Sequence, residues 1–271
     1  MPIEWWQRED VKSCLKWFYD KLCKSTFTLV YRKKLLPIGP APLFRPMPLV
    51  IANDDVLKII DDYDPRFVCF GLYVWGSQQE TLGKLPTSVR VEADLDKFPY
   101  AHKDVQKIEK WCNEHTVGFL TYFTGSKGYR VCLGKAGVRT MNDIRHIVER
   151  VYVMGELANA VTLDLAPYEL GWIQPPANLH RDSGLPSFIV DKIPDNHPSV
   201  FQEASAILMG KKKVYTPTTP PPDGNSFIKC IDDILEEMED KEREELETKI
   251  MDRVERHIER ILYPYPHFFP Y

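Results

Sequence analysis

Paired cysteines, long apolar runs and any large excess of one charge are all missing from this chain. Each absence removes a class of protein. The six cysteines, Cys14, Cys23, Cys69, Cys112, Cys132 and Cys230, are scattered, with no Cys-x-x-Cys among them. That spacing argues against a disulfide framework and for reduced thiols in an intracellular protein. No apolar run approaches the roughly 20 residues that span a bilayer. No basic-then-apolar leader opens the sequence either, so neither secretion nor a membrane partner is expected. What remains is 271 residues, 44% hydrophobic and 27% charged, the composition of a soluble globular chain able to bury a sizeable core.

The net charge of −4 speaks weakly against a nucleic-acid partner, but it is unevenly spread. Residues 226 to 262 carry 13 Asp/Glu against 7 Lys/Arg, a net of −6, which leaves +2 for the rest. The acidity therefore belongs to the C-terminal segment, and a basic groove on the body stays open.

Along the chain, apolar spacing predicts a helix within 3–24. Arg32-Lys33-Lys34 then leads into an extended passage with Pro37, Pro40, Pro42, Pro46 and Pro48. Asn53-Asp54-Asp55 starts a short helix that Asp64-Pro65 ends, and Phe67 to Trp75 reads as one buried strand. Gly76 to Pro86 is read as a hairpin-like connection. Helices are expected over 102–114 and 142–157, and strands over 119–123, 129–133 and 160–165. Strands and helices mix without a βαβ repeat, which argues for α+β architecture. Gly210 to Gly224, with three lysines and four prolines, marks a linker, so the division is a body 1–210, a linker 211–225 and a C-terminal segment 226–271. The apolar stripe of that segment must face either the body or another protein. Its aromatic tail, 263–271, is either a docking element or packed on its own domain.

Four stretches carry chemistry. In Val89-Arg90-Val91-Glu92-Ala93-Asp94-Leu95-Asp96, polar and apolar residues alternate as on a half-buried strand, so Asp94 and Asp96 project together from its end. Two adjacent carboxylates call for a hard divalent cation, or else form a solvated acidic strand end. Thr124-Gly125-Ser126-Lys127-Gly128-Tyr129-Arg130 lacks P-loop spacing. Its glycines still let backbone amides approach an anion, with Lys127 and Arg130 supplying charge; the alternative is a plain hairpin turn. Asp164, in Val161 to Leu165, is an exposed strand residue or a third metal ligand. His180 and Arg181, before Gly184, are phosphate binders or part of a polar turn.

In this order, the four stretches resemble the small catalytic subunit of archaeo-eukaryotic DNA primases. That family has a strand ending Asp-x-Asp, a Ser-Gly-x-Gly-x-His hairpin, an Asp on a strand, and a Pro-x-x-Leu-His-x-x-x-Gly-Leu segment. The matching stretches here are Val91 to Asp96, Phe123 to Val131, Val161 to Leu165 and Pro176 to Leu185. The resemblance spans roughly 45–190, and neither the N-terminal part nor the C-terminal helices match. It departs from the pattern where Arg130 replaces the hairpin histidine, where Gln174 stands near an expected basic residue, and where Asp164 to His180 is a few residues longer. His102, Cys112 and His115, lacking a cysteine pair, make a weak case for zinc, so no structural zinc is expected.

The resemblance implies an α+β primase-polymerase-like core with mixed or antiparallel sheets, flanking helices and a C-terminal helical appendage. By the same resemblance, Asp94, Asp96 and Asp164 would hold two divalent ions, Mg²⁺ or Mn²⁺. Ser126, Lys127, Arg130, His180 and Arg181 would meet nucleotide phosphates. The implied activity is primer synthesis on single-stranded DNA from nucleoside triphosphates, beside a primase large subunit or a helicase-like protein. Two alternatives stay open: a primase-polymerase extending existing ends in repair or plasmid replication, and a non-catalytic primase-like subunit that binds template or partner.

Overall fold

The computed structural model describes residues 5–24, 28–32, 49–51, 55–63, 65–74 and 85–262. The proline-rich 37–48 passage, most of the 76–86 connection and the aromatic tail lie outside the described residues.

The architecture is α+β, with two antiparallel sheets flanked by helices. The smaller sheet has the order β2-β1-β3-β9, from β1 (Thr28–Arg32), β2 (Leu49–Ile51), β3 (Pro65–Gly71) and β9 (Trp172–Ile173). The larger sheet is built around β5 (Ser88–Leu95). The strands β7 (Tyr129–Gly137), β6 (Leu120–Phe123) and β10 (Phe188–Ile189) follow one another on one side of β5. Its other side is shared by two short strands, β4 (Tyr73–Val74) beside Val89 and β8 (Leu163–Asp164) beside Asp94. Between those two, the Tyr168 hydroxyl completes the edge: it accepts from Glu92 N at 2.7 Å and donates to Glu92 O at 3.0 Å.

The apolar run from Phe67 was expected to form one strand and forms two. β3 belongs to the small sheet and β4 to the large one, and Leu72 is the crossing, with its N–H on Gly171 O and its carbonyl accepting from Arg90 N. Uniform hydrophobicity says that a segment is buried, not which sheet buries it.

Both faces of β5 are buried, where alternation predicted only one. Val89, Val91, Ala93 and Leu95 fill the core, with helices α3 (Tyr100–Glu114) and α4 (Met141–Leu157) packed against β5. The opposite, polar face is covered near its start by the N-terminal helix α1 (Glu9–Phe18) and the wide turn Tyr19–Cys23. Phe18 lies under the Arg90 guanidinium at 5.1 Å, and Arg90 also donates to Cys23 Sγ. Arg90 and Glu92 are 0% and 1% exposed and form an ion pair at 2.8 Å. Their opposite charges offset the cost of burial on an inner face, although Arg90 Nε and Nη2 and Glu92 Oε1 make no hydrogen bond there.

After α2 (Val56–Tyr63) and the short α5 (Ala166–Leu170), three more helices complete the body: α6 (His197–Leu208), α7 (Gly224–Glu237) and α8 (Asp240–Leu262). The apolar stripe of the acidic segment faces the body: Phe227, Ile231 and Leu235 of α7 and Leu246, Ile250 and Val254 of α8 are buried in the common core. α7 abuts β7, where Asn225 accepts from Gly137 N at 2.9 Å, and α8 lies along α4. The proline-rich passage before α7 also lies on the body, where Val214 N donates to Asp10 and Asp223 bridges to Lys135. Among the described residues, no helix is long and apolar enough to cross a membrane.

Candidate active site

The large sheet brings the three aspartates to one edge. Asp94 on β5 and Asp164 on β8 are directly paired in register, so their side chains leave the same face. One step further, Asp96 N donates to Thr162 O at 3.3 Å, which keeps Asp96 alongside the same short strand. Asp94 and Asp96, two apart on β5, also share that face. Asp94 is 5% exposed, while Asp96 and Asp164 are half-buried. Asp164 Oδ1 further accepts from Ala166 N at 3.0 Å and so starts α5.

A residue absent from the sequence reading holds this strand in place. Asp104 on α3 accepts at one oxygen from Val161 N (2.8 Å), Thr162 N (2.8 Å) and the Thr162 hydroxyl (2.9 Å), and at the other from Lys107 (2.9 Å). These bonds overcome the opposing effect of its burial and draw the Asp104 carboxyl below its usual range. They also explain why the expected strand 160–165 shrinks to Leu163–Asp164: the amides of Val161 and Thr162 go to a side chain, not to a ladder.

Facing the acids is the hairpin between β6 and β7. Thr124 closes it, with its N–H and hydroxyl both on Gly128 O, and Ser126 and Lys127 stand at the tip. Gly128 is required by contact: a Cβ there would lie 1.7 Å from Leu95 O and 3.1 Å from Asp96 Cα. The hairpin can therefore sit against the carboxylate strand only without a side chain at 128. Gly125 has φ +86°, and its Cβ would meet Leu185 O at 2.7 Å and His180 Cβ at 2.8 Å. The hairpin thus also abuts the His180 turn, where the Ser183 hydroxyl donates to Gly125 O.

That turn is tied to the smaller sheet by Asn178, whose amide donates to Val68 O at 2.6 Å and accepts from Val68 N at 3.3 Å. His180 Nδ1 accepts from the backbone N–H groups of Asp182 and Ser183, which leaves Nε2 to carry the proton. Burial, reinforced by Arg181 and Arg130, lowers its pKa. His180 is therefore a neutral imidazole with an Nε2–H donor at pH 7. Arg181 is exposed and paired with Asp182 at 3.0 Å, and its carbonyl accepts from Arg66, a basic residue outside all four sequence stretches. Lys127 is also exposed.

Arg130 lies differently from its neighbours. It is opposite Asp94 on β7, with Nε 2.9 Å from Oδ1 and Nη2 3.4 Å from Oδ2, and Nη1 donates to Gln174 O at 3.0 Å. The guanidinium thus lies on the carboxylate of Asp94. Burial is the leading influence on Asp94 and pushes its carboxyl up to about 6; Asp96 and Asp164 push the same way and Arg130 pulls against them.

Three carboxylates and one guanidinium leave two negative charges in excess on all-oxygen donors. That donor chemistry fits a hard divalent cation. Among the described residues, no three acidic, histidine or cysteine side chains are grouped so as to hold a metal ion. Both oxygens of Asp94 are turned to Arg130.

No protein-family model matches the sequence. No curated protein matches it either. Among solved structures, the chain is similar to the polymerase domain of Mycobacterium tuberculosis Ligase D in complex with DNA, at 10% identity and a TM-score of 0.43, over 83% of this chain and 87% of that one.

Proposed function

We propose that the chain is a DNA-dependent nucleotidyltransferase that makes short primers on single-stranded DNA from nucleoside triphosphates, with a large-subunit or helicase-like partner. The observation that carries the reading is the register of β5 against β8, which sets Asp164 opposite Asp94 while the Gly125–Gly128 hairpin and the His180 turn face them.

In this reading Asp94, Asp96 and Asp164 hold the cations. When bound, divalent ions supply activation of a primer 3′-hydroxyl and charge neutralisation at the departing pyrophosphate. The chain's own groups bind and orient the nucleotide. His180 offers a neutral N–H donor to a phosphate oxygen, its tautomer set by two backbone amides. Lys127 and Arg181 lie exposed where a triphosphate would need countercharge. No side-chain nucleophile is needed, because the attacking hydroxyl belongs to the primer. The same groups would serve an enzyme that extends existing ends.

The Arg130–Asp94 pair is the one observation that favours a second reading, a non-catalytic subunit of the same kind that binds template or partner. Primer synthesis and primer extension with Mg²⁺ or Mn²⁺, comparing wild type with D94A/D96A, decide between them. Product that disappears in the double variant supports catalysis. Product that persists unchanged removes the catalytic assignment, and no product with either metal favours the binding subunit.

A further inference from the structure

Arg130 engages both oxygens of Asp94 and fills its third direction with the Gln174 carbonyl, so neither group is idle. A carboxylate oxygen that binds a small divalent cation approaches it to about 2.0–2.6 Å. At Asp94 such an ion would press against the guanidinium already lying there. Two cations cannot share that carboxylate face without mutual repulsion in a partly desolvated site. Glu92, two residues before Asp94 on the same face, is no alternative partner, because it is 1% exposed, paired with Arg90 and accepts from the Tyr122 hydroxyl.

We propose that Arg130 is an internal counter-ion that competes with the divalent cation for Asp94. Asp96 and Asp164 would offer a cation its first ligands, and Asp94 would join only as the guanidinium shifts toward an arriving phosphate. Cation and triphosphate binding then favour each other, because each removes an opponent of the other. Arg130 acts here as a positioning residue. The inference rests on the nucleotidyltransferase reading above, and its test separates the two.

Mn²⁺ binding is measured by electron paramagnetic resonance, without nucleotide, for wild type, R130Q, R130K and D96N/D164N. Removing the competing charge should tighten Mn²⁺ binding by about tenfold or more in R130Q. R130K, which keeps the charge but cannot cover both oxygens, should fall between R130Q and wild type. D96N/D164N should bind at least tenfold more weakly than wild type. If R130Q binds no more tightly than wild type while D96N/D164N loses the ion, the counter-ion proposal is overturned and the cation site stands. If D96N/D164N binds like wild type, there is no cation site at these acids and both readings fall.

A measurement on wild type alone covers the case in which R130Q does not fold. The Arg130 Nε–H resonance, assigned through its bonds in a ¹⁵N spectrum, should move on addition of diamagnetic Mg²⁺. A resonance that stays put while Mg²⁺ binds overturns the proposal.

Discussion

Asp94 and Asp164 stand opposite each other across an antiparallel pair only two residues long. So brief a ladder cannot hold its own register. Asp104 holds it from α3 through the amides of Val161 and Thr162, and Tyr168 fills the edge that neither β4 nor β8 covers. The alignment of the two acids is thus a product of side chains from two helices, α3 and α5.

Asp164→Asn isolates the charge from the fold. Asparagine can still accept from Ala166 N at the start of α5, so stability should change by less than about 1 kcal/mol. Loss of a carboxylate from a charge-stabilising site should lower nucleotide incorporation by roughly 10²–10³-fold. Urea unfolding midpoints and single-turnover extension rates check the two halves separately.

Asp104 makes stability depend on pH with a definite sign. Its folded-state carboxyl lies below its unfolded value, so its contribution is complete above about pH 4 and lost as the pH falls through the folded value. The stability gap between wild type and D104N should therefore be constant from about pH 5 to 8 and close as the pH falls below about 4. Losing the charge-assisted bonds should cost about 1–3 kcal/mol at neutral pH. Urea titrations of both proteins across that range check the sign, and a gap that widens in acid contradicts it.

Glu92→Gln leaves Arg90 as a buried charge without its ion-pair partner, which should cost about 3–5 kcal/mol. R90M/E92L removes both charges and should lose less than R90M and E92L lose when summed. Guanidinium unfolding of wild type, R90M, E92L and R90M/E92L yields the coupling. Additive losses would mean that the pair is not an energetic unit.

The sequence by itself determined the helices α3 and α4 and the order of the chemistry-bearing stretches, while α5 and α6 carried no signal that was read. Thr140 to Asp143 forms a capping box ahead of α4, whose apolar spacing then fills one face, and both are local properties of the chain. The hairpin at Gly125–Gly128 was legible for the same reason: glycine there answers to backbone geometry a few residues long. Asp94 and Asp96 could be placed on one face because the side-chain period of a strand is two.

Only the tertiary structure decided what surrounds those residues. Alternation on β5 predicts a wet face, but α1 and the Tyr19–Cys23 turn come from more than 60 residues away to bury Arg90 and Glu92. The apolar run from Phe67 cannot reveal that Leu72 passes from one sheet to the other. Arg130, read as a phosphate clamp, lies on Asp94 because β7 pairs with β5 in one register, and a shift of one residue would have turned it to the other face. Asp104, Asn178 and Arg66 carry no local signature at all. They act through partners distant in the chain, and only packing can choose such partners.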